Sequence, residues 1–419
     1  MLARNLLYQH VCQHDWSLEA KLRQPVQMLD FGHQVWRNYG KLFKLDLKAS
    51  CASSVTSMAP PLHHVDYGER CLWIWTSEHE KDEDDNPIAI GMTGDHVDDF
   101  HRCGNPRSEE WNCVSKRIDE VYKWGMAKTN EYRHAGTDLK ITRDRDGDQV
   151  ITVNQQYYID MLTDVNIPAD RLRDENATLS SHELAACRGA LGSLQWLAIQ
   201  TQPLLCARCN LLLSELVKYA KISSALEIQR MIGEVRQQPT ELKFFKLKTA
   251  KSWKHITVVT LSDQAHSNRP GGDSTSGLVT LMAGPEAKHG HVCPMVLLSW
   301  KSWKLKRKAI SSNDAEDHNF RVRLLWNEMH GAGWHRTPQV DQVAWAENQV
   351  RNTVGILGTD SKGCFDAVQV NESPVLGLSH LRSALQALQL RESMIRTNCF
   401  LRWLASDYDL GDALTRLPH

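Results

Sequence analysis

The residues best suited to chemistry are four acids in the C-terminal third of the chain: Asp263 in LSDQAHSN, Glu316 in AISSNDAED, Asp360 in LGTDSKGCF and Asp412 in DLGDALTR. Each stands at the kind of strand end or helix start where the backbone can hold a carboxylate rigidly. Phosphodiester hydrolysis by the two-metal route needs carboxylates that flank two divalent cations, one activating water and the other stabilising the leaving oxygen. Asp and Glu suit Mg²⁺, or Mn²⁺, because a hard cation prefers oxygen donors. Carboxylates crowded together also raise one another's pKa, so such a cluster implies a counter-cation. Taken singly, an Asp after a strand is more often a turn former or a helix cap. The set carries the reading, and no single member does.

The elements that must position these acids follow from the hydrophobic pattern. A polar, basic stretch at Thr249 to Trp253 marks a domain boundary, after which strands are expected at Ile256–Leu261, Leu278–Met282 and Val292–Trp300, an antiparallel meander. A helix is expected from about Ser312 to Met329, then a strand at Val354–Gly358 ending at Asp360. Next come a helix with Leu381, Leu385, Leu388 and Ile395 on one face, and a terminal strand, turn and helix around Asp412. Lys301, Lys304, Lys306, Arg307 and Lys308 lie before the first of these helices, interleaved with Trp303. Basic side chains beside an aromatic suit a nucleic-acid backbone, and lysines on a solvated edge strand are the equal alternative. Arg269 in the NRPGG turn is a further phosphate candidate, with a plain turn role as its alternative.

Upstream, the first 60 residues are only loosely periodic. The apolar runs CLWIW and IAIGM flank the polar turn EKDEDDNP, the pattern of an antiparallel hairpin. HVDDF, with adjacent Asp98 and Asp99, precedes a helix that opens at Ser108 with Glu109 and Glu110 in its first turn and stops near Gly125. Asp146-Gly147 in LKITRDRDGDQVITV signals a second hairpin. From Ser180 to about Ile222 the pattern becomes that of two packed helices divided by Pro203.

A chain of 419 residues exceeds what one hydrophobic core normally supports, so two or three domains are expected. With 49 basic against 50 acidic residues, global charge predicts no nucleic-acid partner, and any attraction to phosphate must be local. Neither a membrane-length apolar run nor a secretory leader is visible, which gives the expectation of an intracellular protein, cytoplasmic or nuclear, with no membrane partner. Eleven cysteines without repeated spacing read as free thiols. Cys206 and Cys209 form a lone CxxC in an apolar helical stretch, better read as core thiols than as half a zinc site.

Together the strings around the acids resemble the ribonuclease H domain of copia-type retrotransposon Pol polyproteins. The resemblance rests on LSD with the turn Ser274–Gly277, SW at Ser299-Trp300, ISS with Ala315-Glu316, TDS at Thr359–Ser361 and DALTR at Asp412–Arg416. It implies that Asp263, Glu316, Asp360 and Asp412 are at once catalytic acids and Mg²⁺ (or Mn²⁺) ligands, that the substrate is an RNA·DNA hybrid or other nucleic acid, and that Arg269, Lys304, Lys306, Arg307 and Lys308 contact it. Asp98 and Asp99 match the two-aspartate hairpin of copia-type reverse transcriptases, and ACRGALGSLQWLAIQTQP looks like the connecting segment of that family. The implied fold is α+β or α/β. Residues 1–60 form a poorly defined segment, 61–165 a partial reverse-transcriptase palm, 166–250 a helical thumb or connection, and 251–419 a ribonuclease H-like domain with a mixed five-stranded sheet and helices.

Asp46 in FKLDLKAS is a candidate for the earlier polymerase carboxylate, but the preferred alignment starts the chain inside the palm, without that acid. The missing N-terminal part of a Pol polyprotein would then be a partner, and DNA synthesis is not expected of this segment alone. Gln264-Ala265-His266 and Asp317-His318-Asn319 depart from the family pattern. That leaves open a second reading, an inactive retroelement remnant that at most binds nucleic acid.

Overall fold

Apolar runs bounded by turn residues become strands when both faces can be covered, and the chain does this three times. The computed structural model describes residues 27–30, 62–64, 72–83, 85, 87–96, 99–121, 125, 127–134, 136–305, 311–330, 342–369 and 381–416. In the first sheet, β1 (Gln27–Asp30), β2 (Leu62–His64), β3 (Leu72–Lys81), β4 (Pro87–His96), β5 (Asp99–Gly104) and β6 (Ala127–Thr129) lie in the order β2-β3-β4-β5-β1-β6. The antiparallel pair β3–β4 is the hairpin expected around the acidic turn, with Ile74, Trp75, Ile90 and Met92 buried. Helix α1 (Glu109–Val121) follows β5, and Ser108 caps it by accepting the Trp111 N–H at 3.1 Å.

The second sheet, β10-β9-β8-β7, holds β7 (Glu131–His134), β8 (Thr137–Arg143), β9 (Gln149–Asn154) and, after a helical excursion, β10 (Leu242–Phe245). Gly147, at φ +83°, supplies the left-handed residue of the β8–β9 turn. The excursion contains α2 (Gln156–Asp160), α3 (Ser181–Gln200), α4 (Leu205–Lys218) and α5 (Ile222–Gln237). A reciprocal capping box of Ser180 and Glu183 starts α3, and Pro203 falls in the break before α4. The third long helix, α5, was not expected. It buries Ile228, Met231, Ile232 and Val235 against α3 and α4.

The last sheet has the order β13-β12-β11-β14-β15, built from β11 (Thr257–Ala265), β12 (Thr275–Ala283), β13 (Met295–Lys304), β14 (Val354–Thr359) and β15 (Cys399–Trp403). The meander β11–β12–β13 is antiparallel, whereas β14 pairs parallel to β11 and β15 parallel to β14. With helices α6 (Ser311–Met329), α7 (Gln342–Val350), α8 (Lys362–Gln369) and α9 (Leu381–Arg396), this is a ribonuclease H-like fold. The expected strands are all present, and β11 runs four residues further than the sequence suggested, through Asp263.

Alternation along β11 sends successive side chains to opposite faces. Val258 joins a core with Leu325 and Trp326 of α6, whereas Val259 and Leu261 join one with Leu194 and Leu197 of α3. The expected boundary near Thr249–Trp253 is therefore a change of sheet but not of core, because Trp253 packs in the cluster that also holds Ile74, Ile151 and Val258.

Three details differ from the sequence expectations. Helix α9 buries Ala384, Ala387, Leu390 and Met394, while Leu385, Leu388 and Ile395, assigned to its core face, are exposed. Alanines permit close helix approach, so the bulkier stripe is left outside. The terminal helix proves to be a single 3-10 turn, Asp412–Leu414. Cys103 is disulfide-bonded, contrary to uniformly free thiols, while Cys206 and Cys209 are free and buried as expected. Burial pushes the Cys206 thiol up to about 12 and raises that of Cys209 as well, as suits inert core thiols. Among the described residues no helix is long and apolar enough to cross a membrane.

Candidate active site

Asp263 lies near the C-terminal end of the central strand β11, is 5% exposed, and faces Gly277 across the β11–β12 ladder. Period-two alternation places it on the Val259–Leu261 face. Two glycines let the C-terminal turn reach it. A Cβ at Gly411 would stand 3.0 Å from the Asp263 backbone nitrogen, and one at Gly277 would stand 2.7 Å from Leu414 Cβ and 2.9 Å from the Gly411 carbonyl oxygen. This approach allows Thr415 Oγ1 to donate to Asp263 Oδ2 at 2.5 Å, fixing the carboxylate.

Asp360 follows the last residue of β14. The parallel register pairs Val259 with Ile356 and Leu261 with Gly358, so continuing it by two residues brings Asp360 beside Asp263 on the same face. Ser406 Oγ donates to Asp360 Oδ2 at 3.0 Å, and Trp403 Nε1 donates to the Asp360 carbonyl at 3.1 Å. Asp412 completes the group. Its Oδ1 pairs with Arg416 Nε at 2.9 Å, and its carboxyl is raised above the usual range by burial and by Asp263 and Asp360, against the lowering effect of Arg416.

A fourth aspartate, missed from the sequence, joins these three. Asp409 is 5% exposed, and burial together with Asp263, Asp360 and Asp412 pushes its carboxyl up to about 7, even though the Gly411 N–H donates to its Oδ1 at 2.8 Å. Its Oδ2 is buried without a hydrogen-bond partner among the described residues. The sequence did offer a hint, since Asp409 opens the string DLGDALTR; in the structure the Asp412 N–H donates to its carbonyl at 3.1 Å.

The raised pKa makes a prediction for stability. Because Asp409 titrates at 3.8 as an ordinary aspartate and at about 7 in the fold, its contribution is complete below about pH 4 and is lost as pH rises towards 7. Every tenfold difference in proton affinity between the folded and unfolded chain is worth about 1.4 kcal/mol. Melting temperatures in EDTA are expected to fall between pH 4 and 7, and Asp409→Asn is expected to flatten that slope. An unchanged slope in the variant would contradict the assignment.

Glu316 is placed elsewhere. Helix α6 covers the opposite face of the sheet, where Asn319 Nδ2 donates to the Val258 carbonyl at 2.9 Å and to Thr260 Oγ1 at 3.2 Å. Glu316 Oε1 accepts from Ser393 Oγ of α9 at 2.6 Å. Burial raises its pKa, the Ser393 bond and Arg323 lower it, and Asp317 and Glu347 raise it, with none of the four aspartates among these influences. The structure thus gathers Asp263, Asp360 and Asp412 and sets Glu316 apart from them.

The basic candidates divide similarly. Arg269 is 6% exposed, and its guanidinium donates to Thr275 Oγ1 at 2.9 Å and to Ser214 Oγ at 2.9 Å, tying the NRPGG turn to α4. A buried guanidinium engaged in this way is not presented to phosphate, so the structure favours its turn role. Lys304 is exposed on edge strand β13 and pairs with Asp273, while Lys301 Nζ lies 5.0 Å from the Trp303 ring centroid. Lys306, Arg307 and Lys308 lie outside the described residues, as do Asp98 and Asp46. Asp99 opens β5, and the β1–β5 register sets Asp30 directly across from it.

The donor set of the cluster is entirely hard carboxylate oxygen, the chemistry Mg²⁺ and Mn²⁺ prefer, and the partnerless Asp409 Oδ2 is an atom a cation would satisfy. Among the described residues no three His, Cys, Asp or Glu side chains already stand in ligating geometry. The fit therefore rests on donor chemistry and on that orphaned oxygen.

No protein-family model and no curated protein matches the chain. Among solved structures, a ribonuclease H1 isolated from compost by a metagenomic approach is similar at 10% identity and TM-score 0.24, covering 38% of this chain and 92% of that one. A foamy viral protease-reverse transcriptase, solved in complex with an RNA/DNA hybrid, is similar at 10% identity and TM-score 0.20. There the match covers 77% of this chain and 58% of that one. At such TM-scores neither likeness bears on the site, whose reading rests on its own geometry.

Proposed function

We propose that the chain is a copia-type Pol segment whose last unit is an RNA·DNA hybrid endonuclease dependent on Mg²⁺ or Mn²⁺, joined to a region resembling an RNA-directed DNA polymerase. The observation that supports this most is the convergence of Asp263, Asp360 and Asp412, from the ends of two neighbouring strands and a C-terminal turn, on one face of a ribonuclease H-like sheet. In such a site two bound cations supply an activated water and neutralise charge on the leaving oxygen. The protein's own part is positioning. Thr415 fixes Asp263, Ser406 fixes Asp360, and Gly411 lets the turn bearing Asp412 lie against β11. The partner in this reading is a nucleic-acid hybrid.

A second reading, an inactive remnant that only binds nucleic acid, is favoured by Glu316, whose carboxylate is held by Ser393. Substrate comparison separates the two. Endonuclease action predicts that the RNA strand is cut in a hybrid and that double-stranded DNA is spared. Binding of the hybrid without cutting would support the remnant.

A further inference from the structure

Asp409 holds a position to which the family resemblance assigns no role. Its buried state has an obvious structural explanation, since Oδ1 accepts the Gly411 N–H and so shapes the turn leading to Asp412. That bond uses one oxygen only. The other is buried in an acidic cluster with no donor turned toward it among the described residues. Leaving a buried acceptor unsatisfied is unfavourable, and more so for a charged group. A purely structural turn would be served as well by Asn, whose amide oxygen can take the same N–H while bringing no charge. Instead the chain places a fourth carboxyl beside three others, and its ionised form is unfavourable there unless something cationic balances the group. Arg416 is the cation that Asp412 already holds, and it is half exposed at the rim of the group.

We propose that Asp409 is a further divalent-cation ligand of the Asp263–Asp360–Asp412 cluster, contributing Oδ2 while Oδ1 stays committed to Gly411. This rests on the reading of the cluster as a cation site and extends it to a residue outside the expected set of four acids. In this arrangement the turn Asp409–Asp412 delivers two ligands, one from each end, and Gly411 between them provides the close approach to β11.

Calorimetric titration of Mn²⁺ into the full chain, without nucleic acid, tests the proposal. Wild type is expected to bind, Asp263→Asn to bind weakly, and Asp409→Asn to bind at least tenfold more weakly than wild type while keeping its circular dichroism spectrum. If Asp263→Asn weakens binding and a folded Asp409→Asn does not, the cluster stands and the role of Asp409 is overturned. If wild type binds no Mn²⁺, the underlying reading falls and this inference with it. Should Asp409→Asn fail to fold, anomalous scattering from Mn²⁺-soaked wild-type crystals decides the matter. A peak within coordination distance of Asp409 Oδ2 supports the proposal, and a peak on the other aspartates alone overturns it.

Discussion

Replacing Asp263 with Asn is expected to lower the rate of RNA cleavage in an RNA·DNA hybrid by about two to three orders of magnitude, the loss typical when one fixed electrostatic element is removed from an active site. The substitution is close to isosteric. An amide oxygen can still accept from Thr415 Oγ1, and the position keeps its place opposite Gly277. What disappears is one negative charge from the centre of a group in which Asp263 raises the pKa of both Asp409 and Asp412. Loss of that repulsion is expected to leave the melting temperature unchanged or to raise it slightly. Single-turnover cleavage of an end-labelled hybrid, alongside thermal melting, separates the two effects. Undiminished cleavage by a folded Asp263→Asn protein would remove Asp263 from the chemistry.

The largest expected loss of stability comes from Trp326→Ala. Trp326 is 0% exposed, its Nε1 donates to the Trp253 carbonyl at 3.0 Å, and its ring lies 4.4 Å from that of His330. Removing a buried tryptophan costs about 3–5 kcal/mol, and the Trp253 carbonyl, which keeps the Ile256 N–H as a donor at 3.3 Å, is not left unpaired. A typical domain has only about 5–15 kcal/mol in total, so much of the molecule's margin is at stake. The core containing Trp326 also contains Ile74 and Met92 of the first sheet and Ile151 and Phe244 of the second. The urea midpoint is therefore expected to fall steeply for the whole chain rather than for the last sheet alone. Trp326→Phe, which keeps most of the volume and loses the hydrogen bond, should cost far less. A small shift for the alanine variant would mean that the three sheets do not share this core.

The parts of the fold that could be read from the sequence are those specified locally. Asp146-Gly147 announces its hairpin because glycine meets the positive φ of the turn, and β11 and β12 announce themselves as short runs rich in Val, Leu and Thr. The side of α9 that packs could not be read in this way. Leucine spacing nominated Leu385, Leu388 and Ile395, but contact is made through Ala384 and Ala387, which periodicity of large residues does not weight.

Helix α6 hid its packing for a related reason. Asn319, Arg323 and Asn327 recur every four residues and look like a solvated stripe, yet all three are 0% exposed. Arg323 Nη1 donates to the carbonyls of Val350, Thr353 and Thr397, and the missing side chain of Gly355 leaves room, since a Cβ there would lie 2.5 Å from Asn319 Oδ1. Such polar burial depends on backbone acceptors supplied by distant elements, which no local pattern records. The same limit applies at the site. The nearness of Asp263, Asp360 and Asp412 follows from strands that the sequence pattern marks, whereas the position of Glu316 depends on the sheet face that α6 covers, and that of Asp409 on a close approach through Gly411.

The most direct test of the central claim is incubation of the wild-type chain with an end-labelled RNA·DNA hybrid in Mg²⁺ and, in parallel, in EDTA. Cleavage of the RNA strand in Mg²⁺, abolished by EDTA, is the predicted result. An intact RNA strand in Mg²⁺, from protein shown to be folded, would contradict it.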